Sequence, residues 1–275
     1  MKGFRQGILV LAAWLAGVLA AGAWSQKGHD VTAEIAERHL TPAAAAAVDS
    51  IFGGMSMVYW SNWLDNASHT PEYAYSKPWH YCNVDPGERY ETRREAPDGD
   101  AVSALRYNIG ILADSLRSTD DKALALKMLV HIMGDLHQPM HMGRKVDLGG
   151  NRIKVKHFGR DTNLHAVWDG SILESGHRWS YSEWADQIDR ATPVQQAVMT
   201  AGNIDDWARH TYEVAQEVYA DFPEGRQISY GHVARWTPVI EEQLLKAGLR
   251  LAHVLNTLFD PAYNAHGTVR EPGQF

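Results

Sequence analysis

Apolar positions along this chain recur at steps of three and four, the spacing that places them on one face of a helix. Val102, Leu105, Ile109, Leu112 and Leu116 make one such face. Residues 121–137 make a second, closed by Pro139, which lacks the N–H that a helix interior needs. The same period runs through residues 204–219 and 237–259. Thr41-Pro42 reads as the N-cap and first helical residue of an alanine-rich helix, with Gly53-Gly54 at its end. Alternation of the β kind is confined to residues 151–158, just after Gly149-Gly150, and predicts a short hairpin strand. The expected fold is all-α, a multi-helix single domain with one short β-hairpin. No internal repeat, low-complexity linker or composition shift divides residues 24–275, so they are expected to be one domain. The tail from Asp260 on is rich in Pro and Gly and is expected to be loosely ordered.

The first residues follow a different pattern. Lys2 and Arg5 precede an apolar run over residues 8–19, which ends in Ala21-Gly22-Ala23. This is the layout of an export signal with an A-x-A cleavage site, residues 1–23. The run is shorter than the roughly 20 apolar residues of a spanning helix, and no later run is long enough, so no stable membrane anchor is expected. Cleavage leaves Trp24 as the first residue and takes the net charge from −7 to −9. An acidic chain does not attract nucleic acid by its overall field, so a phosphate-polymer substrate would call for bound cations. Cys82 is the single cysteine, which excludes an intrachain disulfide. An exported chain without disulfides relies on its core, on metal, or on both. The expected location is secreted or periplasmic, in a bacterium.

Fourteen histidines invite a search for metal ligands. The densest cluster is His131-x-x-x-Asp135-x-His137-Gln138-Pro139-x-His141. On a helix, His131 and Asp135 share a face about 6 Å apart, within reach of one ion. His141 lies beyond Pro139, where the chain has left the helix, and is free to turn toward a different ion. His165 and Asp169 repeat the spacing between apolar neighbours Leu164, Val167 and Trp168. A lone pair of this kind is commonly a surface feature. Two pairs, one of them on an apolar face, place ionisable groups where they are costly without a partner, and a metal is the simplest partner. Asp65 and His80 are further candidates, each flanked by aromatic residues. The amine and carbonyl of a processed Trp24 would chelate a cation, since an α-amine has a pKa near ~8, and His29 would complete that site.

Trp24…His29, Asp65, Trp79-His80-Tyr81, the cluster from His131 to His141, Gly149-Gly150-Asn151-Arg152-Ile153-x-Val155 and Asn163-Leu164-His165-x-x-Trp168-Asp169 together resemble the zinc-dependent single-strand-specific nuclease family. That family holds the fungal single-strand nucleases, the plant bifunctional nucleases and bacterial relatives, the type I nucleases/3′-nucleotidases. The resemblance runs by motif over roughly residues 24–170. It implies the helical fold shared with zinc phospholipase C, and three zinc ions as cofactors. Asp65, His80, His131 and Asp135 would hold the first ion. Trp24, His29 and Asp135 would hold the second, and His141, His165 and Asp169 the third. His137 has no ligand role in this scheme and reads as a supporting residue. The implied reaction is hydrolysis of single-stranded DNA and RNA at the P–O3′ bond to 5′-mononucleotides, with 3′-nucleotidase activity. Asp65 would orient the attacking water or take its proton, so it is the catalytic candidate. Tyr81 resembles the family's base-stacking aromatic. Single strands suit such a site because an unstacked base can reach it. No protein partner is evident.

Two positions depart from the family pattern. Ser68 stands where many members carry a basic residue, with Lys77 and Arg144 as candidates to supply that charge. Gly170 offers no side chain where some members contact the base. Two other readings use the same ligands. One is a zinc-dependent phospholipase C, whose last metal carboxylate is usually Glu where this chain has Asp169. The other is a zinc-binding protein without catalysis.

Overall fold

The structure is a computed structural model and describes residues 24–94, 96–264 and 275. The export signal and most of the tail after Asp260 lie outside the described residues. The chain starts with α1 (Gln26–Arg38), α2 (Pro42–Phe52), α3 (Met57–Trp60) and α4 (Trp63–Ala67), followed by a 3₁₀ segment, Ala74–His80. Helices α5 (Ala101–Ala113) and α6 (Thr119–Leu136) come next, and a 3₁₀ turn, Pro139–Met142, follows α6 directly. The strands β1 (Lys154–His157) and β2 (Arg160–Asn163) lead into α7 (Leu164–Ala166), a wide π turn at Val167–Ser171 and α8 (Ile172–Gly176). The rest comprises α9 (Tyr181–Ile188), α10 (Pro193–Thr200), α11 (Ile204–Asp221), β3 (Gln227–Ile228), α12 (Tyr230–Phe259) and α13 (Pro261–Asn264). The fold is all-α, as the periodicity implies.

Local chemistry sets the helix ends. The Thr41 hydroxyl accepts from the Ala44 N–H, Pro42 opens α2, and Gly53 ends it in the left-handed region at φ 62°. The Ser118 hydroxyl accepts from the Asp121 N–H at the start of α6. Two boundaries and one strand pairing differ from what the periodicity predicts. Helix α5 stops at Ala113, because Asp114 turns extended and its carboxylate accepts from the Leu116 N–H at 2.9 Å. Leu116 is therefore off the apolar face and 92% exposed. Helix α12 starts at Tyr230 and passes through Pro238, with Val233 and Trp236 buried on its first two turns. The missing hydrogen bond at Pro238 is offset by that burial. The β-hairpin is present, with Val155 opposite Thr162, but β3 adds a parallel partner to β1. A two-residue strand is too short to show alternation in sequence.

The core is one cluster. Helix α1 packs on α12 and α9, α5 packs on α6, and α6 packs on α12. Trp24, Trp168, Trp184, Trp207 and Trp236 are fully buried within it. Each removes roughly 150–250 Å² from water, about 4–6 kcal/mol of gross transfer free energy. Cys82 is a buried free thiol, pushed up to about 12 by burial, and is inert packing. No helix among the described residues is long and apolar enough to cross a membrane.

Candidate metal centre

Seven elements, α6 among them, bring eight polar side chains together. Helix α6 itself supplies His131 and Asp135, both fully buried. Helix α1 supplies His29, α4 supplies Asp65, and the 3₁₀ segment after it supplies His80. Pro139 ends α6 and starts the 3₁₀ turn that carries His141. Extended backbone then ties His80 to His141: the Cys82 N–H donates to the His141 carbonyl at 2.8 Å, and the Val84 N–H to the Gly143 carbonyl at 2.8 Å. The Asn163 side chain caps α7 by accepting from the Ala166 N–H at 2.8 Å, which sets His165 on the first turn. Asp169 follows in the π turn, a rare geometry that recurs at functional sites. Gly134 makes room for His29, because a Cβ there would stand 2.8 Å from His29 Nδ1.

These side chains form three groups: His29, His131 and Asp135; Asp65, His80 and His131; and His141, His165 and Asp169. The first two share His131, and Asp135 lies against both. His80 Nδ1 is 2.9 Å from Asp135 Oδ2 and 3.1 Å from His131 Nε2. His131 Nε2 is 3.3 Å from Asp135 Oδ2 and 3.5 Å from Asp65 Oδ1. His29 Nε2 is 3.5 Å from Asp135 Oδ1, and His165 Nε2 is 3.5 Å from Asp169 Oδ2. Atoms bound about 2.0–2.1 Å from a tetrahedral zinc ion lie roughly 3.3 Å apart, so these separations fit ligands of common ions.

The supporting hydrogen bonds fit as well. His131 Nδ1–H donates to the Ser61 carbonyl at 2.7 Å, His141 Nδ1–H to the His80 carbonyl at 2.6 Å, and His165 Nδ1–H to the Gly149 carbonyl at 2.6 Å. Each bond selects the tautomer that leaves Nε2 as a lone-pair donor, the usual arrangement behind a metal-binding imidazole. Both ring nitrogens of His29, Nε2 of His80 and Oδ1 of Asp135 are buried without a hydrogen bond. Such groups are costly unless something else satisfies them, and a divalent cation does so.

Electrostatics points the same way. Burial would raise the Asp135 carboxyl, but His131 and His141, with hydrogen bonds from His131 and His80, hold it well below the usual range. Burial would lower His131, but Asp135 and Asp65 raise it to about 10. His29 is pushed down to about 3 by burial and by His131. Burial raises Asp169 well above the carboxylate range, against a hydrogen bond from Gln138.

Trp24 is fully buried at the edge of this cluster, and the following Ser25 N–H donates to the Asp169 carbonyl at 2.7 Å. Tyr81 is 42% exposed beside His80. His137 is buried outside the three groups, its Nδ1–H donating to the Met133 carbonyl at 2.8 Å and its Nε2 accepting from Arg250 at 2.7 Å. The residue the sequence reading passed over is Gln138. It is fully buried, and its amide donates to Asp169 Oδ1 at 2.7 Å. The signal available in the sequence was a glutamine between two candidate ligands, Asp135 and His141. The two departures also have places. Ser68 is buried, with its hydroxyl 3.4 Å from the Asp65 carbonyl. Arg144 is engaged, its guanidinium 3.8 Å over the Tyr219 ring, while Lys77 is exposed. A Cβ at Gly170 would stand 3.0 Å from Ser25 Cβ, so the segment after Trp24 fills the space a side chain would take.

A family model described as S1/P1 nuclease matches residues 24–260. Endonuclease 2 of Arabidopsis thaliana is 28% identical, over 94% of this chain and 98% of that protein. Nuclease S1 of Aspergillus oryzae is 29% identical, over 90% of this chain and 96% of its own length. Nuclease P1 of Penicillium citrinum is 33% identical over 60% of this chain and 65% of its own.

Proposed function

Because the chain belongs to the S1/P1 nuclease family, and is thus a nuclease, we propose that it is an exported three-zinc phosphodiesterase. In this reading it cuts single-stranded DNA and RNA at the P–O3′ bond, releases 5′-mononucleotides and also hydrolyses 3′-nucleotides. The observation that carries the reading is the trio of donor groups, two sharing His131 and one standing apart. Trp24, His29 and Asp135 would hold one ion, Asp65, His80, His131 and Asp135 a second, and His141, His165 and Asp169 a third. Bound zinc supplies Lewis acidity and lowers the pKa of water to about 7.

The protein's own residues do the rest. Asp65 is the most open of the carboxylates in the first two groups, with 25% of its side chain exposed. Burial is outweighed there by His131 and His29, which hold its carboxyl below the usual range. It therefore stays an anion at neutral pH, placed to orient a water or accept its proton. Gln138 fixes the Asp169 carboxylate by its 2.7 Å hydrogen bond. Burial pushes the Tyr81 phenol up, so it stays neutral and offers an uncharged ring face to a base. In this reading the leader is cleaved before Trp24, which would free the amine that this ligand set uses; the family match also begins at residue 24.

The test is to express the full chain with its leader, identify the first residue of the product, count bound metal and incubate it with single-stranded DNA and RNA. The expected products are 5′-mononucleotides, lost on chelation and restored by zinc. Intact nucleic acid from protein holding three zinc ions would overturn the proposed reaction. Hydrolysis of phosphatidylcholine instead would move the site to the phospholipase C reading.

A further inference from the structure

Helices α10, α11 and α12 line an open groove of about 380 Å³ that shares no lining residue with the metal groups. Gln195, His210, Glu242, Lys246 and Arg250 supply its polar lining. We propose that this groove is an oxyanion site for a phosphate-type dianion, free or as a phosphomonoester, held by Arg250 and Lys246.

Arg250 is 5% exposed and makes no ion pair among the described residues. Its Nε donates to the Met199 carbonyl at 2.8 Å and its Nη1 to His137 Nε2 at 2.7 Å. Both acceptors are neutral, so neither balances the charge. The carboxylates that act on it through space are engaged elsewhere, Glu242 with Lys246 at 2.6 Å and Asp206 with Arg209 at 2.7 Å. Burial lowers the guanidinium only to about 9, so it remains a cation at neutral pH. A buried cation without a counter-ion is costly, and an anion in the adjoining groove removes that cost.

The neighbours are suited to the same ligand. Lys246 is 7% exposed, and its Nζ lies 2.8 Å from His210 Nε2. Glu242 is the single carboxylate lining the groove, with 53% of its side chain exposed. Two cations therefore face one carboxylate, with an imidazole beside them. The Gln195 carbonyl oxygen is taken up by the Thr192 N–H at 2.8 Å, which leaves its amide N–H groups as further donors. The guanidinium N–H groups that Met199 and His137 leave free, beside an ammonium, are charged donors of the kind that bind phosphate oxygens. A purely structural Arg250 would explain its bonds to Met199 and His137 and its place 5.1 Å over the Trp207 ring. It would not explain a second buried cation, Lys246, lining the same groove.

The test is calorimetric titration of the metal-loaded full chain with inorganic phosphate and, separately, with a 5′-mononucleotide. A class of sites is expected beyond any at the metal centre. Lys246→Met should weaken that class about tenfold or more, the worth of one charge-assisted hydrogen bond. Glu242→Gln should strengthen it severalfold, a gain that a damaged fold does not produce. Occupancy by phosphate alone assigns the site to the free anion, and occupancy only by the mononucleotide assigns it to a phosphomonoester. Absence of the extra class with both probes overturns the proposal. So does a class that both variants, with unchanged metal content, leave unaltered.

Discussion

Asp135 and Asp169 each stand four residues after a histidine, each in a helical segment and each against the metal groups, yet they are driven in opposite directions. Asp135 is held well below the carboxylate range and Asp169 well above it. Burial pushes both up. Asp135 is reached by His29, His80, His131 and His141 within 3.5 Å, from four different elements. Asp169 has His165 at 3.5 Å and the neutral amide of Gln138. The number of imidazoles, not the spacing in sequence, decides the charge. The Asp135 region is therefore set for cations before any bind, with the proton on His131 standing in for one. The Asp169 region must give up a proton to accept an ion.

The sharpest way to break this comparison is to remove each carboxylate. On the proposed ligand sets, Asp135→Ala is expected to lose two of three ions and about 10³-fold or more in kcat/KM, several kcal/mol of Lewis-acid stabilisation. Asp169→Ala is expected to lose one ion. Metal content by mass spectrometry, read beside kcat/KM on single-stranded DNA, decides it. Equal metal loss in the two variants would show that Asp135 is not shared.

Gln138→Ala probes the weaker region alone. It is expected to lower the affinity for one ion about 10–100-fold and leave the other two in place. Chelator competition measures this, and parallel loss of all three ions would contradict the separate role of the third group. Tyr81→Ala should leave all metal affinities unchanged while raising KM roughly fivefold or more, the cost of one base stack of about 1 kcal/mol. A change in metal content instead would make Tyr81 part of the packing around His80.

The mildest test is the acid stability of the chelated protein. His29 takes a proton near 6.5 when unfolded but only at about 3 when folded. The unfolded chain thus binds more protons in that window, and stability falls as pH drops from 6.5 toward 3. Asp169 works in the opposite sense, since its folded carboxyl is raised. Its contribution is full below 3.8 and is lost as pH rises through its folded value. Urea midpoints across pH should therefore lose part of their acid slope in His29→Gln and become steeper in Asp169→Asn. An unchanged slope in His29→Gln would mean that His29 is not buried neutral in the metal-free protein.

The sequence alone determined what local period and local chemistry can write: the all-α class, the caps of α2, the stop at Pro139, and the two His-x-x-x-Asp pairs, because three- and four-residue steps place side chains on one face whatever surrounds them. The sequence also carries the expectation of an export signal and, through a resemblance spread over many motifs, of the nine proposed ligand positions. Quantities that depend on neighbours distant in sequence were not legible. Whether Asp169 carries charge depends on Gln138 and on how many imidazoles reach it. Asp65 and His80 look like isolated residues until α4 and the following 3₁₀ segment set them against α6. The exposure of Leu116, the continuation of α12 through Pro238 and the pairing of β3 with β1 each turn on one tertiary contact or one side-chain hydrogen bond. The meeting of His210, Lys246 and Arg250 over one groove is of the same kind. Coulomb and desolvation energies are sums over space, and only the folded chain decides which charges share it.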